Sequence, residues 1–257
     1  MSPNIDWQTS PIWVTPNQHV DVVHSPDVGL PNVVFLHGYG LSPQSYKEAL
    51  NYMALWGRVI APTLPGFGSS TALPRDRQQE LSSYATSVAA AWESFDAPYP
   101  LPIVGHSMGC GVAVRLARNR PEMVSSLTLV CPIGGAGSHP VTWIRLAGSL
   151  MREAHVSWGP RLWDSGPTLL ANPGRALRAA VTAKNANLVN DLHFLVNSGL
   201  PVTIIAAHGD GVVPPGPLRH VGAHFIEVDG GHGWLLRRPA EFADLVKQPV
   251  LNPLPNP

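Results

Sequence analysis

The feature that most constrains this chain is a set of short apolar runs: "NVVFL" at 32–36, "RVIAP" at 58–62, "PIVG" at 102–105, "VSSLTLVCP" at 124–132 and "PVTIIAA" at 201–207. The first is nearly all apolar and lacks the alternation of a strand with one wet face. A strand of that kind is buried on both faces, as in a parallel sheet. Helical segments separate the runs. "LSPQSYKEALNYMALWG" offers Ser42 as N-cap, Pro43 at the first helical position and Gly57 as the stop. "LSSYATSVAAAWESF", 81–95, has apolar residues at helical spacing, and "MGCGVAVRLARNRPE" is closed before Pro121. The runs "IWV" at 12–14 and "VDVV" at 20–23 come first; "HFIEV" at 224–228 and a helix "PAEFADLV" at 239–246 come last. Strands alternating with helices predict an α/β fold with a mainly parallel central sheet flanked by helices.

The rhythm breaks between His139 and Leu200, where "VTWIRLAGSLMREAH", "NPGRALRAAVTAK" and "LVNDLHFLVNSG" read as helices. The expected organisation is a core of residues 1–138 and 201–248, a helical cap (lid) at 139–200 and a Pro-rich tail at 249–257, extended or disordered. Lys+Arg and Asp+Glu are both 17, so no basic footprint for nucleic acid is present. No apolar run reaches the roughly 18 residues of a membrane span, and no secretory signal is visible, so a cytoplasmic protein is expected. Cys110 and Cys131 do not make a disulfide scaffold and read as buried small hydrophobes. Zinc-type spacing is absent; His220 and His224, four apart, read as surface, and no metal or organic cofactor is expected.

Chemistry concentrates in "LPIVGHSMGCG", 101–111, where Gly105 and Gly109 flank Ser107 at two residues on either side. G-x-S-x-G between a strand and a helix is the pattern of a sharp turn that presents a serine at a helix start. Serine is a weak nucleophile and needs a base, which in turn needs an orienting partner. "VDGGHGWLLRRPAEF" puts His232 on a loop after one strand, and "IIAAHGDGVVPP" puts Asp210 after another. All three lie beyond carboxyl ends of strands, where open α/β sheets bind ligands. Asp229 competes with Asp210 as the acid but lies only three residues from His232. His106 reads as pointing away from the chemistry, and His37 as a brace.

These residues carry a resemblance. The chain resembles the α/β-hydrolase family, in its lidded esterase, lipase and C–C hydrolase branch, over nearly its whole length. "FLHGYG" at 35–40 is similar to the family's oxyanion loop, "LPGFGSS" at 64–70 to the loop after the next strand, and "GHSMG", "DGVVP" and "GGHGWLLRRPAEF" to the elbow, acid and histidine segments. The resemblance implies Ser107 as nucleophile, His232 as general base and acid, Asp210 as its partner, and the backbone N–H groups of Tyr39 and Met108 as the oxyanion hole. Thr63 stands where the family often has an acidic residue, and Cys110 where Gly is common.

The implied activity is a serine hydrolase of the carboxylesterase type, cleaving a small, largely apolar ester through an acyl-enzyme. Trp143 and Trp163 of the cap, with Val213 and Trp234, are candidate pocket residues. Arginines in the cap read as a solvated helix face. Alternatives are cleavage of a C–C bond of the meta-cleavage type, against which "GHSMG" and "HGYG" argue mildly, and lactone or thioester hydrolysis. A reading from another class is a small-molecule receptor on a hydrolase scaffold. A serine at position 107 argues against the dehalogenases and epoxide hydrolases of this fold, which use aspartate there.

Overall fold

The computed structural model describes residues 3–74, 76–77, 80–135, 186–213 and 216–257. Among these, eight strands form one sheet: β1 (Gln8–Thr15), β2 (Gln18–His24), β3 (Asn32–Leu36), β4 (Arg58–Pro62), β5 (Leu101–His106), β6 (Val124–Val130), β7 (Val202–Ala207) and β8 (His224–Val228), in the order β1-β2-β4-β3-β5-β6-β7-β8. β1 and β2 form an antiparallel hairpin, and β2 pairs antiparallel with β4; all pairings from β4 through β8 are parallel. The helices are α1 (Lys47–Met53), α2 (Leu81–Glu93), α3 (Met108–Asn119), α4 (Val189–Asn197), α5 (Trp234–Arg237) and α6 (Pro239–Leu251).

The unbroken apolar runs feed two cores. On β3, Val34 and Leu36 enter a layer with Val88 of α2, Val112 of α3 and Leu192 of α4, whereas Val33 and Phe35 enter a layer with Leu50 of α1 and Phe242 of α6. β7 divides the same way, with Ile204 on the first side and Ile205 on the second. Period-two geometry sends neighbours to opposite faces, so a strand covered on both sides needs an apolar residue at every position. Each fully buried Leu, Ile or Phe contributes about 2 kcal/mol of transfer free energy.

The first helix begins later than its sequence suggests. Ser42 holds the extended cap conformation, but Pro43–Tyr46 form a 3-10 turn before α1 starts. Gly57 closes the segment by donating its N–H to Met53 O at 3.1 Å.

Two segments differ from expectation. The helix expected as the last piece of the cap, now α4, lies against α3, and Leu188, Leu192 and Leu195 are buried in the first core layer. Arg115 and Arg118 of α3 both pair with Asp191 of α4. Helical periodicity alone could not separate a cap helix from a core helix, because both bury one apolar stripe.

The final helix, expected to stop at Val246, continues through Pro249 to Leu251. A proline near the end of a helix forfeits one hydrogen bond. Burial of Val246 and Val250 in the second layer offsets that loss. The residues beyond are extended and anchored. Asn256 accepts from Val202 N at 2.9 Å and donates to Leu200 O at 2.7 Å, and His224 Nε2 donates to Pro255 O at 2.6 Å. No helix among the described residues is long and apolar enough to cross a membrane.

Candidate active site

β5 ends at His106 and α3 begins at Met108, so a single residue turns the chain. That residue is Ser107, with φ 52° and ψ −114°. Non-glycine residues rarely adopt such a conformation, and holding one there costs about 1–3 kcal/mol. The flanking glycines make the turn possible. A Cβ on Gly109 would sit 2.1 Å from the Leu36 carbonyl oxygen, and one on Gly105 would sit 2.8 Å from the Cys110 nitrogen. The start of α3 therefore crosses directly over the end of β3. Met108 occupies the first helical position, where the N–H has no acceptor within the helix.

β7 and β8 deliver the other two groups. Their loops are tied together beyond the strand ends, with Gly209 N donating to Gly230 O at 2.9 Å. His232 Nε2 lies 2.9 Å from Ser107 Oγ, and His232 Nδ1 lies 2.8 Å from Asp210 Oδ2. The second carboxylate oxygen, Asp210 Oδ1, accepts from Val212 N at 2.8 Å and Val213 N at 2.9 Å. All three side chains are buried. Burial raises the Asp210 carboxyl, but the attraction of His232, its hydrogen bond and the two backbone donors outweigh that and leave it below its ordinary range. Asp210 is thus an anion at neutral pH, which fixes the proton of His232 on Nδ1 and leaves Nε2 to accept from the serine hydroxyl. The competing carboxylate, Asp229, is exposed.

The remaining histidines and cysteines near the serine are structural partners. His37 Nε2 accepts from Leu64 N at 2.9 Å, so Nδ1 carries the proton and donates to Gly38 O at 2.8 Å. It ties the 37–40 loop to the 64–70 loop, the bracing expected of it. Thr63, where an acid was missing, is supported by Asp21 of β2. Thr63 N donates to Asp21 O at 2.7 Å, Ser70 Oγ accepts from Asp21 N at 2.9 Å, and the Asp21 carboxylate accepts from Ser69. His106 Nδ1 lies 2.7 Å from Tyr46 Oη, and its Nε2 lies 3.1 Å from the His232 carbonyl oxygen.

The Cys110 thiol donates to Gly105 O at 3.1 Å. Cys131, directly after β6, is more than a core filler: it holds φ 46°, and its thiol faces the Asp210 carboxylate and the His232 ring. Burial pushes that thiol well above its ordinary range, so it stays protonated. Sequence reading missed it because the approach joins the ends of two strands across 79 positions, from 131 to 210. The ligand-type atoms of Cys131, Asp210 and His232 lie within 4.8 Å of one another. The 2.8 Å imidazole–carboxylate contact is that of a shared proton, too close for two ligands of one tetrahedral ion.

Of the expected pocket residues, Trp143 and Trp163 lie outside the described residues. Val213 is half-buried beside the acid and donates its N–H to Asp210. Trp234 is a correction. It is buried in the second core layer, its ring 6.0 Å from that of Phe242, behind the histidine loop. Its place two residues after His232 suggested the site, but α5 turns it inward.

His37 and His106 are completely buried and neutral, with pKa values held down by burial to about 4 and about 3. In the unfolded chain both titrate near 6.5. The unfolded state therefore binds more protons below that pH, and stability present above it is lost as pH falls. Each group contributes a loss of about 1.4 kcal/mol per pH unit across that window. Between pH 7 and pH 5 the unfolding free energy is expected to fall by roughly 4 kcal/mol from these two groups together. Urea unfolding at the two pH values checks this; an unchanged midpoint contradicts it.

Comparison with known proteins places this geometry. A family model described as "Alpha/beta hydrolase family" matches residues 33–245. A protein of Mycobacterium phage D29 with a provisional non-heme haloperoxidase name is 27% identical over 249 residues, spanning 87% of this chain and 88% of that one. A pimeloyl-acyl-carrier-protein methyl ester esterase of Aromatoleum aromaticum is 33% identical over 100 residues, only 39% of this chain and 36% of its own length. Among solved structures, a thermophilic esterase from Thermogutta terrifontis has a TM-score of 0.69 at 20% identity, covering 94% of this chain and 97% of that one. The family model spans most of the chain, including the serine turn and both loops that meet it, and the chain belongs to the alpha/beta hydrolase family.

Proposed function

We propose that this protein is a serine hydrolase that cleaves a carboxylic ester of a small, largely apolar substrate through an acyl-enzyme. The observation that carries the reading is the continuous chain from Ser107 Oγ through His232 to Asp210, at 2.9 Å and 2.8 Å. His232 Nε2 takes the serine proton as Oγ attacks the ester carbonyl. The carbonyl oxygen becomes an oxyanion, received by the Met108 N–H at the start of α3, with the Tyr39 N–H as the second donor. Collapse expels the alcohol, which takes the proton from His232. Water, deprotonated by His232, then attacks the acyl-enzyme, and the carboxylic acid leaves as Ser107 regains its proton. Asp210 stays ionised throughout and stabilises the imidazolium.

The methyl ester esterase named among the relatives supports the ester reading, since its matched stretch shares 33% of residues with this chain. A panel of nitrophenyl esters from acetate to decanoate, with a thioester and a lactone of matched acyl length, tests the reading. Turnover of the short and medium esters, with one acyl group accumulating per chain before steady state, is expected. Hydrolysis of the thioester or lactone without that of any ester would move the substrate class.

A further inference from the structure

A second hydrogen-bond chain runs behind the serine, and its directions are fixed by chemistry. A carbonyl only accepts, so His106 Nε2, 3.1 Å from the His232 carbonyl oxygen, carries a proton. The ring is neutral because burial disfavours its charge. His106 Nδ1 is then an acceptor and takes the Tyr46 hydroxyl proton at 2.7 Å. With its proton committed, Tyr46 Oη accepts from the Gly38 N–H at 3.0 Å. The chain reads Gly38 N–H to Tyr46 O–H to His106, and His106 N–H to the carbonyl of His232.

Its surroundings leave it no slack. Tyr46 and His106 are both about 1% exposed. The Tyr46 ring packs edge-on against Phe35, 4.9 Å between centroids, and the His106 ring lies 5.0 Å from that of His232. Gly38 cannot be larger, since a Cβ there would sit 2.9 Å from His106 Nδ1 and 3.0 Å from Tyr46 Oη. The same Cβ would lie 3.3 Å from that of Ser107, so the 37–40 loop rests directly on the serine turn.

We propose that Tyr46 and His106 are positioning residues that lock the loop after β3 and the backbone of the histidine loop into one frame around Ser107. The inference rests on the serine hydrolase reading for its kinetic consequence but not for its geometry. The histidine loop reaches the site from β8, at the sheet edge, and the His106 bond ties its backbone to the β3 side. Through His106, the placement of His232 Nε2 and of the 38–39 backbone become one variable. Misplacing reacting groups by about 1 Å can cost on the order of a hundredfold in rate.

The test separates the two ends of the His106 ring in the full-length protein. In His106→Gln the amide nitrogen reaches the place of Nε2 and can still donate to the His232 carbonyl. In His106→Asn the amide reaches only the place of Nδ1. The Gln variant is expected to retain kcat and the rate of fluorophosphonate labelling within about threefold, and the Asn variant to lose roughly tenfold to a hundredfold in both, with KM unchanged. Tyr46→Phe preserves shape, guards against a folding failure, and is expected to slow labelling about tenfold. The far-downfield proton NMR signal of the His232–Asp210 bond should persist in the Gln variant and shift or broaden in the Asn variant. Equal labelling rates for Gln, Asn and Phe variants, with only melting temperatures lowered, would overturn the proposal. If wild type neither labels nor turns over esters, the hydrolase reading fails instead, and an NMR signal unmoved in His106→Asn still overturns the positioning role.

Discussion

Replacing Ser107 with alanine is expected to reduce ester turnover by about six orders of magnitude, to a residue set by the oxyanion donors and binding alone. The loss follows from covalent chemistry, since among the described residues Ser107 is the hydroxyl that His232 Nε2 contacts. The Cys110 thiol is occupied with the Gly105 carbonyl, and burial raises the Cys131 thiol well above its ordinary range. Stability should change little, because alanine must hold the same φ of 52° and loses only one hydroxyl contact. Turnover of nitrophenyl butyrate, with a thermal melt on the same sample, measures both. Retained activity above about one per cent would remove Ser107 from the chemistry.

The second large effect is expected at the acid. Asp210→Asn keeps an oxygen for the Val212 and Val213 N–H groups, so the loop after β7 keeps its shape. What changes is the group facing His232 Nδ1. An amide that presents its NH2 there favours the tautomer with the proton on Nε2, which cannot accept from Ser107. A loss of about 10⁴-fold in kcat is expected, as in the template triad. Asp229→Asn serves as the control, with activity within about twofold, since surface changes away from a site are usually near neutral. A mild effect at Asp210 with a severe one at Asp229 would exchange their roles.

Much of this site was legible because its chemistry is local or positional. The G-x-S-x-G spacing announces a turn whose glycines answer to two backbone approaches, at Leu36 and Cys110. Asp210 and His232 were readable as residues that follow strand ends. β3, β4, β5 and β7 were readable because strands covered on both faces are apolar nearly throughout. What escaped reading was non-local. The Tyr46–His106 contact spans 60 residues, and nothing in "SPQSY" announces it. The support of Thr63 by Asp21 crosses from β2 to the loop after β4. Trp234 lies two residues after His232 in sequence yet fills the core, because α5 starts at it and turns it inward. α4 and the turn through Pro249 were misjudged for a common reason. Local signals such as periodicity and proline position yielded to burial, which only the assembled layers decide.

The central claim is that Ser107, activated by His232, is the nucleophile. Reacting the wild-type protein with a fluorophosphonate and mapping the adduct by peptide mass spectrometry tests it most directly. The account predicts one adduct per chain, on the peptide containing Ser107, absent in Ser107→Ala and strongly slowed in Asp210→Asn. An unlabelled wild type, or an adduct on any other residue, would contradict it.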